Sequence, residues 1–390
     1  MIRSVLNSVM YHYARLVSLL VLVMIISCKG NKSANNELDT DLGAIVHYAE
    51  RFKIEKNGDF TKLTIINPWQ GAEGINHTFY LIRKGSILPN DIDSAEAIFV
   101  PLEKIICMST THLAMISALN EENTVLGVSG ARFIYGNSIY ERVKEDQIPD
   151  VGYEGNLNKE LIIKISPDLI MMYGIGSEST GYVNKIKELG VKTIFNADYL
   201  ETDPIGKAEW IKMFGALYCK EELADSIFRS LSEEYLLTKS QIEKNTGYKP
   251  KVLLGLPYKD TWFISPGNSY ISTIISDAGG DYLWKETESS YSMPYGIENV
   301  YLKALGADYW LNIGSADSKD DIMSVDKRLA DLECFKKGNL YNNNNRVNEN
   351  GGNDYWESGS LYPHLILRDI ASIIHPGLIS NELYYYRKLD

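Results

Sequence analysis

Between Glu221 and Asn245 the chain carries neither glycine nor proline. Leu223, Ile227, Leu231, Tyr235, Thr238 and Ile242 recur there in steps of three and four, which puts them on one stripe of a long amphipathic helix. Gly247 and Pro250 in "GYKP" terminate it. A helix of this length in mid-chain separates the chain into two flanks.

Both flanks alternate strand and helix. After the two short strands "FTKLTIIN" and "HTFYLI", turned by "PWQGAEGIN", come "KIICMS" (strand), "THLAMISAL" (helix) and "TVLGVS" (strand). "NKELIIKI" (helix), "DLIMMYG" (strand), "VNKIKELG" (helix) and "VKTIFN" (strand) continue the pattern. Beyond the long helix, "KVLLGLP", "YISTIISDAGG", "ENVYLKALG" and "DYWLNIG" read as strand, helix, helix, strand. Such alternation predicts an α/β fold with parallel sheets covered on both faces. The expected lobes are 46–220 and 248–390, joined by a helix over 221–247. They also echo each other: Glu160 and Asp168 stand in the first where Glu298 and Asp308 stand in the second, with spacings that differ by two residues.

The N-terminus predicts the compartment. "MIRSVLNSVMYHYAR" supplies positive charge, "LVSLLVLVMIIS" is an apolar run too short to span a bilayer, and Cys28 closes it. "IISC" resembles a bacterial lipobox. Residues 1–27 are therefore expected to be a lipoprotein signal peptide, Cys28 the lipidated residue, and 28–45 a polar tether ("KGNKSANNELDTD") unable to bury a core. Cys107, Cys219 and Cys334 remain, an odd number that excludes a complete disulfide framework and leaves free thiols or one pair. No CxxC spacing, histidine motif, nucleophile elbow or Walker loop is present, so no metal site, cofactor or catalysis is expected. A net charge of -12 excludes nucleic acid as a partner, and 26 tyrosines point to a binding surface. Near the C-terminus, "GGNDYWESGS" sets Tyr355 and Trp356 among glycines and reads as a loop, whose rings could face a core, a partner or a ligand.

From "KIICMSTTHLAMISAL" through "ELIIKISPDLIMM", "DPIGKAEWIKMFGAL", "FISPGNSYISTIISDAGGDYL" and "IENVYLKALGADYWL" to "GGNDYWESGSLYPHLILRDIASIIHP", the order of segments over about residues 50–390 resembles one family. These are the substrate-binding proteins of bacterial ABC importers for iron–siderophore complexes, heme and vitamin B12. The resemblance implies two Rossmann-like α/β lobes joined by one rigid helix, with the ligand in the cleft between them. It implies that Glu160 and Glu298 dock on arginines of the permease, whose ATPase subunit is a separate chain. By position, the expected ligand wall is Thr111, His112, Arg132, Tyr135 and Tyr153 from the first lobe. Trp262, Tyr291, Tyr295, Arg346, Tyr355 and Trp356 face them from the second, with Arg132 and Arg346 offsetting ligand charge. The implied protein is a periplasmic monomer anchored to a bacterial membrane through Cys28, capturing an iron–siderophore complex. Cobalamin or another corrinoid, and heme, are the alternatives within the family; a surface glycan-binding lipoprotein or a cleft hydrolase is the alternative outside it. The segment before about residue 100 departs from the family, and Trp69 in "NPWQG" either packs beneath the first lobe or decorates its surface.

Overall fold

Short apolar runs bounded by turn residues become strands, and their pairing builds three main sheets. The computed structural model describes residues 46–136, 138–153, 156–174, 186, 190–379 and 382–390, which belong to a single compact unit. Cys28, the tether and most of "VNKIKELG" lie outside the described residues. First come β1 (Phe52–Asn57), β2 (Phe60–Ile66), β3 (Asn76–Arg83) and β4 (Ala97–Val100), paired in sequence order, with only the β3–β4 pair parallel. Phe52, Ile54, Leu63, Ile65, Leu81, Ile98 and Val100 carry one face of this sheet into the main core. Trp69, in the β2–β3 connection, is buried against Phe195 and His77, so it packs beneath the first lobe.

The first lobe's sheet is β5 (Ile105–Cys107), β6 (Val125–Val128), β7 (Leu169–Met172) and β8 (Thr193–Phe195), all parallel in the order β6-β5-β7-β8. The second lobe contributes β9 (Lys251–Leu254), β10 (Thr261–Ile264), β11 (Asp281–Tyr282), β12 (Met293–Gly296), β13 (Tyr309–Leu311), β14 (Leu340–Asn342) and β15 (Arg387–Lys388). Its sheet runs β11-β9-β13-β14, parallel, with β15 antiparallel on one edge; β10 and β12 pair separately. Helix-covered strands are buried on both faces, which is why they read as unbroken Ile, Leu, Val and Met runs.

The echo between the lobes has a physical basis. Asp168 Oδ2 accepts the backbone N–H groups of Glu103 (2.9 Å) and Lys104 (3.2 Å) at the entry to β5, and its own N–H donates to Lys104 O (2.9 Å). Asp308 Oδ2 accepts Lys251 N–H (2.9 Å) at the entry to β9, and its N–H donates to Lys251 O (2.9 Å). Each aspartate thus fixes the third strand of its sheet against the second at the same end. Glu160 and Glu298 are the second residues of the helices Lys159–Ile165 and Ile297–Ala304 that lead into those strands.

The long helix spans Glu221–Asn245. Its buried stripe is Ala224, Phe228, Leu231, Ser232, Tyr235 and Ile242, so Leu223 turns to solvent and Ile227 is only half-buried. Ala224 rather than Leu223 faces the lobe because Gly215 lies so close there that an added Cβ would come within 2.5 Å of Ala224 Cβ. At the other end Tyr235 Oη donates to Asp277 Oδ2 (2.7 Å) and Lys239 pairs with Asp277 Oδ1 (2.8 Å). One hydrophobic core, from Phe52 to Leu389, runs through both lobes and under this helix.

Cys107, Cys219 and Cys334 are all free thiols. Buried carboxylates hold the backbone at residues 47–49 and near the C-terminus. Glu209, fully buried, accepts the backbone N–H of His47, Tyr48 and Ala49 at 2.7–3.1 Å and pairs with Lys212 Nζ at 2.9 Å. Asp369 does the same for Tyr384, Tyr385 and Tyr386 at 2.6–3.1 Å. Replacing Glu209 with alanine leaves three backbone donors without their acceptor, and we expect a loss of about 3–5 kcal/mol in stability by urea unfolding. A midpoint and slope equal to those of the parent would show that the N-terminal segment is held by other contacts.

Candidate functional site

Ligands of parallel α/β sheets sit at the carboxyl ends of the strands. Here Met108, Ser129 and Tyr173, each the residue following β5, β6 or β7, open onto one cavity of about 940 Å³. That is the upper range of small-molecule pockets, ~300–1,000 Å³. Ser109, Thr110, Gly130, Ala131, Arg132, Phe133, Asp150, Gly152 and Tyr153 complete the first-lobe wall, and Gly351, Asn353 and Trp356 close it from the second lobe. Phe133, Tyr153 and Trp356 are 52%, 66% and 62% exposed, an unusual gathering of large rings in solvent.

The cavity's electrostatics are simple. Ser109 caps the helix Thr110–Ala118, accepting Thr111 N–H, so the positive end of that helix dipole opens into the cavity. Arg132 lies with Cζ 4.5 Å from the Phe133 ring centroid. Asp150 is the lining carboxylate, yet its two oxygens already accept the N–H groups of Ala131 (2.8 Å) and Gly152 (2.9 Å). It therefore ties the loop bearing Arg132 to the loop bearing Tyr153. Among the described residues no three His, Cys, Asp or Glu side chains gather as metal ligands.

Of the expected wall, Arg132, Tyr153 and Trp356 line this cavity. The others sit elsewhere, for identifiable reasons. "DYWE" is one helical turn, Asp354–Glu357, rather than a loop. Successive residues on it diverge by ~100°, so Trp356 turns outward while Tyr355 is buried edge-on against Tyr385 (5.8 Å) and Tyr386 (5.9 Å). His112 is two residues beyond the cavity-lining Thr110 on its helix and points into the core. It is fully buried, with no partner for either ring nitrogen, and burial lowers its pKa to about 3. Thr111 is half-buried and bonds to Ser109 Oγ at 3.1 Å. Trp262 is fully buried, stacked on Trp310 (5.8 Å) and donating to Leu254 O (2.9 Å). Tyr295 is opposite Trp262 across the β10–β12 pair and half-buried near Trp284. Arg346 donates from Nε to Asp354 Oδ2 (2.6 Å) and packs between the rings of Tyr135 (5.1 Å) and Tyr384 (4.3 Å), behind the wall. Tyr291 is exposed and abuts Gly71.

The asparagine-rich segment does something not read from the sequence: it joins the lobes. Asn348 Nδ2 donates to Ile134 O (2.9 Å) and to Tyr135 O, Tyr135 N–H donates to Glu357 Oε2 (2.8 Å), and Asn350 Nδ2 bonds Tyr140 Oη (3.0 Å). Gly352 allows this approach, since a Cβ there would meet Ile134 O at 2.3 Å.

On the lobe surfaces, Glu160 and Glu298 are exposed. Glu298 lies 3.5 Å from Arg328, which is held more tightly by Asp326 at 2.6 Å.

Residues 105–346, more than half of the chain and including both parallel sheets apart from β15, match the sequence model of the periplasmic binding proteins. The chain belongs to the periplasmic binding protein family. An uncharacterized lipoprotein of Methanocaldococcus jannaschii is 28% identical over 402 aligned positions, covering 93% of this chain and 92% of the relative. A periplasmic heme-binding protein of Pseudomonas aeruginosa shares the fold with a TM-score of 0.57 at 14% identity, covering 74% of this chain and 98% of its own. An ABC-type Fe3+-hydroxamate transport system protein of Saccharomonospora viridis gives a TM-score of 0.51 at 15% identity, covering 70% and 94%. The two-lobed α/β architecture is that of these solute-binding proteins.

Glu357 makes the interlobe tie sensitive to pH. Burial, with repulsion from Asp354, outweighs the Tyr135 N–H bond and raises its carboxyl from 4.5 to about 7. The folded protein then holds a proton that the unfolded chain releases between those values. Stability is therefore greatest below about pH 4.5 with respect to this group and falls as pH rises toward about 7. Urea unfolding of Glu357→Gln is expected to lose that decline, which is at most about 1.4 kcal/mol per pH unit. A slope unchanged from the parent would assign the decline to other groups.

Proposed function

We propose that this protein is an ABC-importer solute-binding lipoprotein that captures an iron–siderophore complex in the cavity between its lobes and delivers it to a permease. The observation that carries this reading is the cavity itself: about 940 Å³, rimmed by the exposed rings of Phe133, Tyr153 and Trp356. Rings of this kind give large contact area at small entropic cost, which suits bulky, partly flat metal chelates. Arg132 and the Thr110–Ala118 helix terminus supply positive potential for a ligand's anionic groups. Two of the fold's relatives are described as heme-binding and Fe3+-hydroxamate proteins, which supports the metal-chelate class. A corrinoid or heme is the second reading, favoured by the same flat aromatic rim.

Tryptophan fluorescence of the purified protein, titrated with ferric hydroxamate and catecholate siderophores, cyanocobalamin and hemin, tests the ligand. Saturable quenching by a ferric siderophore, weakened at least tenfold in Trp356→Ala, is the expected outcome. Saturation by cyanocobalamin or hemin alone would move the assignment to that ligand, and no response would end the chelate reading.

Delivery requires anchoring and docking. In this reading Cys28 carries the lipid that anchors the protein to a bacterial membrane, and Glu160 and Glu298 meet permease arginines. Exposed ion pairs contribute only ~0.2–1 kcal/mol each, so they orient docking rather than drive it. Uptake of the labelled siderophore by whole cells should fall in both Cys28→Ser and the Glu160→Arg, Glu298→Arg double variant, while ligand quenching by the purified double variant is unchanged. Normal uptake by the double variant would remove the docking role.

A further inference from the structure

The segment ahead of the family-matched span, which begins at residue 105, is more than a support for the first lobe. The β2–β3 connection, "NPWQGAEGI", reaches the cavity's edge and crosses to the second lobe. Gln70 N–H donates toward Gly174 O (3.4 Å) and Tyr199 Oη (3.2 Å), and Tyr199 Oη itself bonds Gly174 O. Gly174 follows Tyr173, a lining residue of the cavity. From this footing Gln70 Nε2 donates to Ser290 O of the second lobe at 2.6 Å. Gly71 beside it has φ +82° and sits so close to Tyr291 that a Cβ would lie 2.6 Å from the hydroxyl. Left-handed backbone and close approach both call for glycine here.

The footing lies opposite the asparagine-rich tie. In the sheet order β6-β5-β7-β8, Ile134 and Tyr135 follow the edge strand β6, whereas Gly174 follows β7 and Tyr199 follows β8. The shared core fuses the lobes at their bases, so the freedom left to them is rocking of the rims. One rim is fastened by Asn348, Gly352 and Glu357. We propose that residues 68–75 form a strap that fastens the other, with Gln70 as the positioning residue that sets the width of the cleft mouth. Trp69 anchors the strap's base in the core cluster that also holds Met108 of the cavity floor. The consequence for ligand binding rests on the cavity being the ligand site; the mechanical claim does not.

The isosteric Gln70→Glu replaces the donor by a carboxylate facing Ser290 O, leaving Trp69 and the fold untouched. Spin labels at the exposed positions Lys164 and Leu302, one on each lobe, report the rim separation. The full chain is used in detergent with Cys219→Ser, since Cys107 and Cys334 are buried. By pulsed dipolar spectroscopy the parent is expected to give one narrow distance peak and Gln70→Glu a peak at least twice as wide. A disulfide between Gln70→Cys and Ser290→Cys, formed after labelling through an orthogonal handle, should restore the narrow peak. Superimposable distributions for the parent and Gln70→Glu overturn the strap. Quenching of the same samples by ferrioxamine B, hemin or cyanocobalamin reads the ligand assignment separately: strap mobility with no quenching refutes that assignment alone, and release at least threefold faster in Gln70→Glu supports both.

Discussion

Everything in this structure depends on the two lobes sharing one core. The helix Glu221–Asn245 packs Ala224 against Gly215 and Phe228 against Lys212 of the first lobe, and through Tyr235 and Lys239 it is fixed to Asp277 of the second. Lys207 from the first lobe lies 4.8 Å from the ring of Tyr270 in the second, so the lobes also touch beside the helix. To swing one lobe away from the other would expose apolar surface at ~25 cal/mol per Å² and unpair buried polar groups. Wide hinge closure is therefore excluded by the same contacts that make the protein stable. What is left to vary is the rim.

That division explains where the side chains went. A rigid base allows the cavity to be lined by loops at strand ends, whose residues answer to no packing periodicity. Asp150 shows how such loops are ordered without a core: one carboxylate collects a backbone N–H from each of two loops and holds Arg132 and Tyr153 at a common edge. This role uses one acceptor site on each oxygen of Asp150, and the positive potential of the described wall comes from the guanidinium of Arg132 and the helix terminus.

The buried strands β5 to β9 and β13, the long helix and the lobe echo were legible because burial on both faces imposes long apolar runs and a helical stripe imposes its period, whereas strands such as β1, β4, β10, β12 and β14 were not. Asp168 and Asp308 stood out for a physical reason, since each clamps the same two strands of its sheet. The site was legible only in part. Strand-end position points to Arg132 beyond β6, whereas Met108, Ser129 and Tyr173, the first residues past their strands, were not read from the sequence. Nothing in composition distinguishes the outward Trp356 from the inward Tyr355; the difference arises from a single helical turn which glycine neighbours disguise as loop. His112, Trp262 and Arg346 have the chemistry of ligand contacts and the surroundings of structural residues. Burial, absent from a linear sequence, separates the two for His112 and Trp262, and for the half-buried Arg346 its pairing with Asp354 does. The shift of the helix stripe from Leu223 to Ala224 has the same origin: Gly215 admits a methyl group and no more.

Two buried carboxylates tie down backbone segments by the same logic. Glu209 gathers three consecutive N–H groups at residues 47–49, and Asp369 gathers three at 384–386, each forming a small anion nest closed around a buried carboxylate. Burial raises the Asp369 carboxyl from 3.8 to about 6, so the nest offsets only part of the cost of holding charge in the core. The first nest fixes the backbone at residues 47–49, close to where the described residues begin. A pull on that segment is then transmitted to the helix Pro204–Glu209, which Gly206 lets approach Tyr48 O to within 2.8 Å of a would-be Cβ, and not to the cavity loops. A load applied at residue 47 would therefore enter the shared core before it reaches either rim of the cavity.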